Sequence, residues 1–180
     1  MISYFVKDDI TDDAEAHSLW DFYLKVFGPL AKLAVNRHVM TRAEFDGMLS
    51  DRRIEKHIAM NDLGRVLGFS VITNRLDRWP LVSPEYFAAR HPREYAAGHI
   101  WYVGFVGTLP NGLSVFQGLL DSMTAGRRDN GLFYMDFCAY NVDRRIVALC
   151  ERRLAGIDSR VTMRRADDQS FWLTTFGAEG

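Results

Sequence analysis

Between Gly104 and Met123 the chain reads GFVGTLPNGLSVFQGLLDSM, with Gly107, Gly112 and Ser114 placed ahead of an amphipathic helix. The first turn of a helix carries backbone N–H groups without intrahelical acceptors, and the helix dipole adds partial positive charge there. Small residues let an anion approach those groups closely. The spacing therefore fits a cradle for a phosphate-bearing ligand, and equally an ordinary turn into a helix, since every helix must start somewhere. A second candidate group follows in FYMDFCAY, where Asp136 sits in an apolar run. Burial there would raise its pKa toward the range useful to a general base, while a structural pairing with an arginine is the plainer use of such a carboxylate. His99 and Tyr102 are further candidate bases. Cys138 and Cys150 match no CxxC or Cys/His spacing, so no metal site is expected, and two free thiols suit a reducing compartment.

A cradle of this kind needs a strand whose C-terminal end feeds the helix, because ligands of open α/β sheets gather there. His99–Val106 is the strongest strand signal in the chain, and Phe116, Leu119, Leu120 and Met123 share one face of the helix that follows. Leu132–Tyr140 reads as another buried strand. Asn141 or Asp143 is the expected cap of a helix carrying Ile146, Leu149 and Leu154. Upstream, Ile2–Val6 reads as a strand. Thr11, Asp12 and Asp13 offer caps for a helix that Gly28-Pro29 stops, and Leu30–Val35 reads as a second short helical piece. Thr41 with Glu44 forms a capping-box pattern. Glu55–Met60 and Val66–Asn74 flank a turn at Asn61–Gly64 and form a hairpin, the second strand being central because both its faces are partly apolar. Ser83-Pro84-Glu85 caps a short helix inside an aromatic insertion at about 77–98. Arg160–Arg164 and Ser170–Thr175 read as a final hairpin. These elements predict a single domain over 1–180 with an α/β (α+β) fold: a mixed, mostly antiparallel twisted sheet of about seven strands flanked by helices.

Length and composition set outer bounds. The chain has 180 residues, 48% hydrophobic and 25% charged, with a formal net charge of −1. A domain of this size builds its own core without a metal or disulfide. No basic excess points to nucleic acid, and no run of ~18 apolar residues points to a membrane span. The N-terminus lacks the basic and apolar regions of a signal peptide, so a cytoplasmic location is expected.

The order of elements, together with the loop at 111–116, resembles the GNAT acyltransferase superfamily over most of the chain. That family runs a central strand into a loop of the form Arg/Gln-x-x-Gly-x-Gly/Ala, whose amides hold the pyrophosphate of acyl-CoA. With Leu119-Leu120 matched to the paired leucines after that loop, Asn111 falls at the Arg/Gln position and Gly112 on the glycine that commonly follows. Ser114 replaces the first motif glycine and Phe116 the last Gly/Ala. The resemblance implies that the Leu113, Ser114, Val115 and Phe116 amides hold the diphosphate of acetyl-CoA or another acyl-CoA, and that Phe105 and Val106 pair with its pantetheine arm. A Phe116 ring turned toward the loop would block the phosphates; a ring turned to the core would leave the amides open. The stretch DFCAYNVDRRIVALCERRLAG resembles the family's later strand and helix, with Asn141 as the matching asparagine. Cys150 falls where the family often has a tyrosine that protonates the departing thiolate, and Tyr140 and Tyr134 are other sources of that proton.

The resemblance implies an N-acyltransferase acting on a primary amine of a small molecule or peptide, without metal. Asp136 is the candidate base, and Tyr140 or Cys150 the candidate acid. Two other readings stay open: an acyl carrier protein as donor, met by Arg127 and Arg128, or a non-catalytic binding or assembly module. A homodimer through the final hairpin is expected by the same analogy.

Overall fold

The computed structural model describes residues 1–35, 39–80 and 82–172. Strand β1 (Ile2–Lys7) leads to α1 (Asp13–Phe27), a 3-10 turn (Gly28–Lys32) and α2 (Arg42–Ser50). Strands β2 (Glu55–Asn61) and β3 (Val66–Thr73) form a hairpin. A 3-10 turn (Leu76–Arg78), α3 (Pro84–Arg90) and α4 (Pro92–Ala96) cross to β4 (Ile100–Thr108). Then come α5 (Leu113–Thr124), β5 (Leu132–Tyr134), α6 (Ala139–Asp143) and α7 (Ile146–Ile157). The strands make one five-stranded sheet in the order β1-β2-β3-β4-β5. All neighbours are antiparallel except β4 and β5, which the α5 crossover makes parallel.

Local chemistry starts these elements where the sequence signals stand. The Asp12 side chain accepts from the Glu15 amide, and Thr41 and Glu44 complete both halves of a capping box. Ser83 caps α3 through the Tyr86 amide. Each such cap contributes about 1 kcal/mol. In the β2–β3 turn, Asn61 Oδ1 accepts from the Leu63 and Arg65 amides, and Gly64 takes the left-handed conformation at φ 72°.

Helices cover both faces of the sheet. On one face α1 and α2 bury Leu19, Phe22, Tyr23, Phe45 and Leu49 against Ile58, Phe69 and Val71. On the other face α5 and α7 pack Leu119, Leu120, Met123 and Leu154 against Ala59, Ile72 and Val103. One irregularity matters for the site. The β3–β4 register pairs Val71 with Phe105 and Ile72 with Val103, so Gly104 is an extra, bulged residue. The extra residue resets the alternation of β4. Phe105 joins Tyr23, Phe27 and Phe69 on the α1 face, while Val103 and Val106 face α5.

Four expectations need correction. The described chain forms five strands rather than about seven. Residues 161–172 make no sheet pairing; Arg160 instead pairs with Asp158 and Asp129, and Phe171 and Trp172 are exposed. The end of the expected last strand, 173–175, lies outside the described residues. The strand expected over Leu132–Tyr140 stops at Tyr134, because the Cys138 carbonyl accepts from the Asn141 and Val142 amides and closes a helical turn. Asn141 therefore lies inside α6 rather than capping the long helix, and α7 opens after Arg145, a left-handed residue at φ 58°. Helix α4, absent from the expectations above, has Pro92 in its first turn, the one local signal for it.

Candidate active site

The loop after β4 is built by close backbone approach. The Leu109 amide donates to Leu67 O at 3.1 Å and the Gly112 amide to Leu109 O at 3.0 Å. Asn111 turns the chain in the left-handed region at φ 63°. A Cβ on Gly112 would lie 2.8 Å from Leu109 O and 3.0 Å from the Thr108 Cβ, so only glycine fits. Gly112 is also the N-cap of α5. It supplies no side-chain cap, and the first turn holds no acidic residue. The Phe116 amide closes the first helical bond to Gly112 O at 2.8 Å. The amides of Leu113, Ser114 and Val115 therefore stand ahead of the ladder as donors without an intrahelical acceptor. Leu113 and Ser114 are exposed; Val115 is buried against Gly68 of β3. Phe116 turns its ring to the core, among Ile72, Val103, Leu120 and Met123, and leaves the loop clear. Tyr4 of β1 lies across Gly118 and donates its hydroxyl to Ser114 O at 3.3 Å, so it braces the helix through a carbonyl and leaves the amides alone.

Beside this helix start, the sheet loses a pairing. β4 and β5 pair at Ile100–Leu132, Trp101–Phe133 and Tyr102–Tyr134, and no further. β4 runs on to Thr108 against β3. Among the described residues no backbone bond joins β4 beyond Tyr102 to the 135–138 segment. The β4 edge that carries Phe105 and Val106 thus has backbone groups that the sheet does not use on that side.

The side chains at this break come from three elements. The Tyr102 hydroxyl donates to Asp136 Oδ1 at 2.5 Å. Burial, and then the Asp136 carboxylate, hold the Tyr102 phenol far above its usual pKa, so it keeps its proton and serves as a donor rather than a base. Asp136 is exposed, which corrects the expectation of a buried carboxylate: the strand that would have buried it ends before it. Trp79, at the base of the insertion, lays its ring on Gly104 and stands 6.0 Å from the Tyr102 ring. Tyr134 packs edge-on against Phe87 at 4.6 Å and shares a 2.6 Å hydrogen bond with His91, which ties the insertion to the last paired residue of β5.

The remaining candidates separate by position. Tyr140 is half-buried, and its hydroxyl oxygen accepts from Arg144 at 2.9 Å. Cys150 is buried on α7, and burial pushes its thiol up to about 11. Asn141 is half-buried in α6. His99 lies at the opposite end of β4, beside a groove of about 420 Å³ lined by Arg93, Glu94, Asp129 and Asn130. Arg127, expected as an exposed docking cation, is instead engaged: its guanidinium meets Glu55 at 2.6 Å and stacks 3.9 Å from the Trp101 ring. Arg128 pairs with Asp121. Among the described residues no cluster of three His, Cys, Asp or Glu could hold a metal ion, and no helix is long and apolar enough to cross a membrane. Local reading missed two features, the seat of Trp79 on Gly104 and the Tyr102–Asp136 bond. The run WYVGFVG, with a small residue inside an aromatic strand, was the available signal for the first.

The chain matches no protein-family model and no curated protein. It does match solved structures. An aminoglycoside 6'-N-acetyltransferase from Acinetobacter baumannii superposes with a TM-score of 0.56 at 9% identity, covering 98% of this chain and 100% of that one. An aminoglycoside acetyltransferase from an uncultured soil metagenomic sample, solved with sisomicin, gives 0.55 at 8% identity and 97% of each chain. A ribosomal-protein-alanine N-acetyltransferase from Brucella melitensis biovar Abortus 2308 gives 0.50 at 16% identity, covering 98% of this chain and 100% of that one. At these identities the likeness is one of architecture, and it runs the length of the chain: the protein has the GNAT fold.

Proposed function

We propose that the protein is an N-acyltransferase that moves an acetyl or other acyl group from acyl-CoA to a primary amine. The observation that carries this reading is the uncapped start of α5 beside the place where β4 and β5 stop pairing. Gly112 without a Cβ, the exposed Leu113 and Ser114, and the inward Phe116 fit a diphosphate on the α5 amides. Asn111 shapes the loop, and Phe105 and Val106 offer backbone to an extended amide-bearing arm, as a strand offers it to a neighbour. Asn141 lies on α6, which follows the unpaired 135–138 segment.

The donor supplies an acyl thioester. The amine nitrogen attacks its carbonyl carbon, the C–N bond forms as the C–S bond breaks, the nitrogen loses a proton and the thiolate gains one. Asp136 is the group we assign to the amine's proton. Tyr102 orients it by donating to one carboxylate oxygen. For the thiolate we assign Tyr140 as the donor: its hydroxyl oxygen accepts from Arg144, and its O–H can still donate. Cys150 keeps its proton at neutral pH, and its burial makes it the reserve acid.

Isothermal titration with CoA and acetyl-CoA tests the reading, with 3′-phosphoadenosine as the control lacking the diphosphate. Micromolar binding of both CoA species, much tighter than the control, is expected. No binding at millimolar ligand would remove the proposal.

A further inference from the structure

We infer that Trp79 limits the size of the transferred group, so that the protein takes short acyl chains and excludes long ones. The inference rests on the acyl-CoA reading above. A diphosphate on the α5 amides lies on the α5 face of the sheet, and the Tyr102–Asp136 pair belongs to the other side of β4. An arm that joins the two must pass the open β4 edge at the Gly104 bulge. Trp79 stands there. A Cβ on Gly104 would lie 2.2 Å from the indole Cη2, 2.5 Å from Cζ2 and 2.6 Å from Cζ3, so the six-membered ring rests directly on the bulged backbone. The same ring stands 6.0 Å from Tyr102 and packs against the α1–α2 core cluster. It closes the space beyond the bulge with an aromatic wall.

The wall is fixed at its root. The Trp79 amide donates to Leu76 O at 3.4 Å, and the Trp79 carbonyl accepts from the Val82 amide at 3.3 Å. Leu76 is buried with Phe87 and Ile100. The insertion is tied down again through Tyr134 by Phe87 and His91. An acetyl group ends before such a wall, whereas a chain of several methylenes has to displace an indole held on both sides.

The test is titration of the purified protein and of Trp79→Ala and Trp79→Phe with CoA, acetyl-CoA, butanoyl-CoA and hexanoyl-CoA, with melting temperatures to check folding. The wild type is expected to bind hexanoyl-CoA at least about tenfold more weakly than acetyl-CoA. Trp79→Ala should abolish that difference while its affinity for CoA itself stays unchanged, and Trp79→Phe should fall between. A wild type that binds hexanoyl-CoA as tightly as acetyl-CoA overturns the inference without needing either variant. So does a chain-length profile that is the same in the folded variants as in the wild type. If CoA binds all forms alike and only the profile fails to move, the inference alone falls. If CoA binds none of them, the acyl-CoA reading falls and takes the inference with it.

Discussion

Replacing Gly104 by alanine should destabilise the protein, and the same replacement should stabilise it once Trp79 is gone. Gly104 is not among the left-handed glycines, which in the described chain are Gly64, Gly98 and Gly126, so an L-residue can take its backbone conformation. On entropy alone Gly→Ala at such a position gains about 0.4–1 kcal/mol. Against this stands the indole: the three atoms nearest a new Cβ all belong to Trp79, at 2.2, 2.5 and 2.6 Å. Real Cβ atoms do not approach that closely, so the ring or the strand must move, at about 1–3 kcal/mol for overpacking of this kind. The clash wins, with a net loss of about 1–2 kcal/mol. In the Trp79→Ala background the clash is absent and only the entropic gain remains, so the sign reverses. The coupling between the two positions is then about 2 kcal/mol, within the range for side chains in contact. Urea unfolding of the four proteins, compared at constant slope, measures it. Equal destabilisation by Gly104→Ala in both backgrounds would refute the seat of Trp79 on the bulge, and with it the wall.

Three further outcomes follow from named contacts. Lys56 is fully buried and donates to Asp8 O at 2.7 Å and Asp51 O at 2.6 Å, and burial pushes its pKa down from 10.5 to about 8, against the pull of Asp51, Asp9 and Asp8. Between those two values the unfolded chain holds more protons, so stability rises with pH; measured against Lys56→Met, the wild type should gain about 3 kcal/mol across that window, and a constant gap would contradict it. Phe116→Ala should cost about 3 kcal/mol of stability and leave CoA affinity no better, because the ring packs in the core; tighter CoA binding by the variant would show a ring in the loop. Arg127→Lys should lose about 1–2 kcal/mol in thermal or urea unfolding, because lysine reproduces neither the two bonds to Glu55 nor the stack on Trp101, and an unchanged midpoint would count against both contacts.

The parts of the fold written in local chemistry were legible. Asp12, the Thr41–Glu44 box and Ser83 start helices where their side chains meet nearby amides. The 3-4 spacing of Phe116, Leu119, Leu120 and Met123 already favoured a ring facing the core, and the ring faces it. Expectation and structure part where an apolar run suggests continuous structure. LFYMDFCAY has strand composition throughout, but a strand must also stay beside its partner, and the chain leaves the β4 edge after Tyr134. The final hairpin failed in the same way: 161–172 carries a strand-like pattern, yet nothing in the described chain pairs with it. Arg145 in the left-handed region carries no composition signal, and α4 carries only the proline of its first turn. The Tyr102–Asp136 bond and the seat of Trp79 join residues far apart in sequence, and periodicity does not report such pairs.

The break that ends the β4–β5 pairing is also what the proposed site rests on. Had β5 continued alongside β4 to Thr108, the amides and carbonyls of that edge would have been spent on the ladder, and Asp136 would have been buried in a strand. Because pairing ends at Tyr102–Tyr134, the β4 edge keeps its backbone groups and Asp136 stays exposed within reach of the Tyr102 hydroxyl. The bulge at Gly104 completes the arrangement. It sets Tyr102 and Phe105 on the α1 side and Val103 and Val106 on the α5 side, so the opening has an aromatic wall on one face and a helix start on the other. A glycine is required there because the indole occupies the place of its side chain. One residue thus sets the twist of the strand, the facing of its neighbours and the seat of the wall. For that reason the Gly104–Trp79 pair tests more of this arrangement than any substitution among the polar candidates.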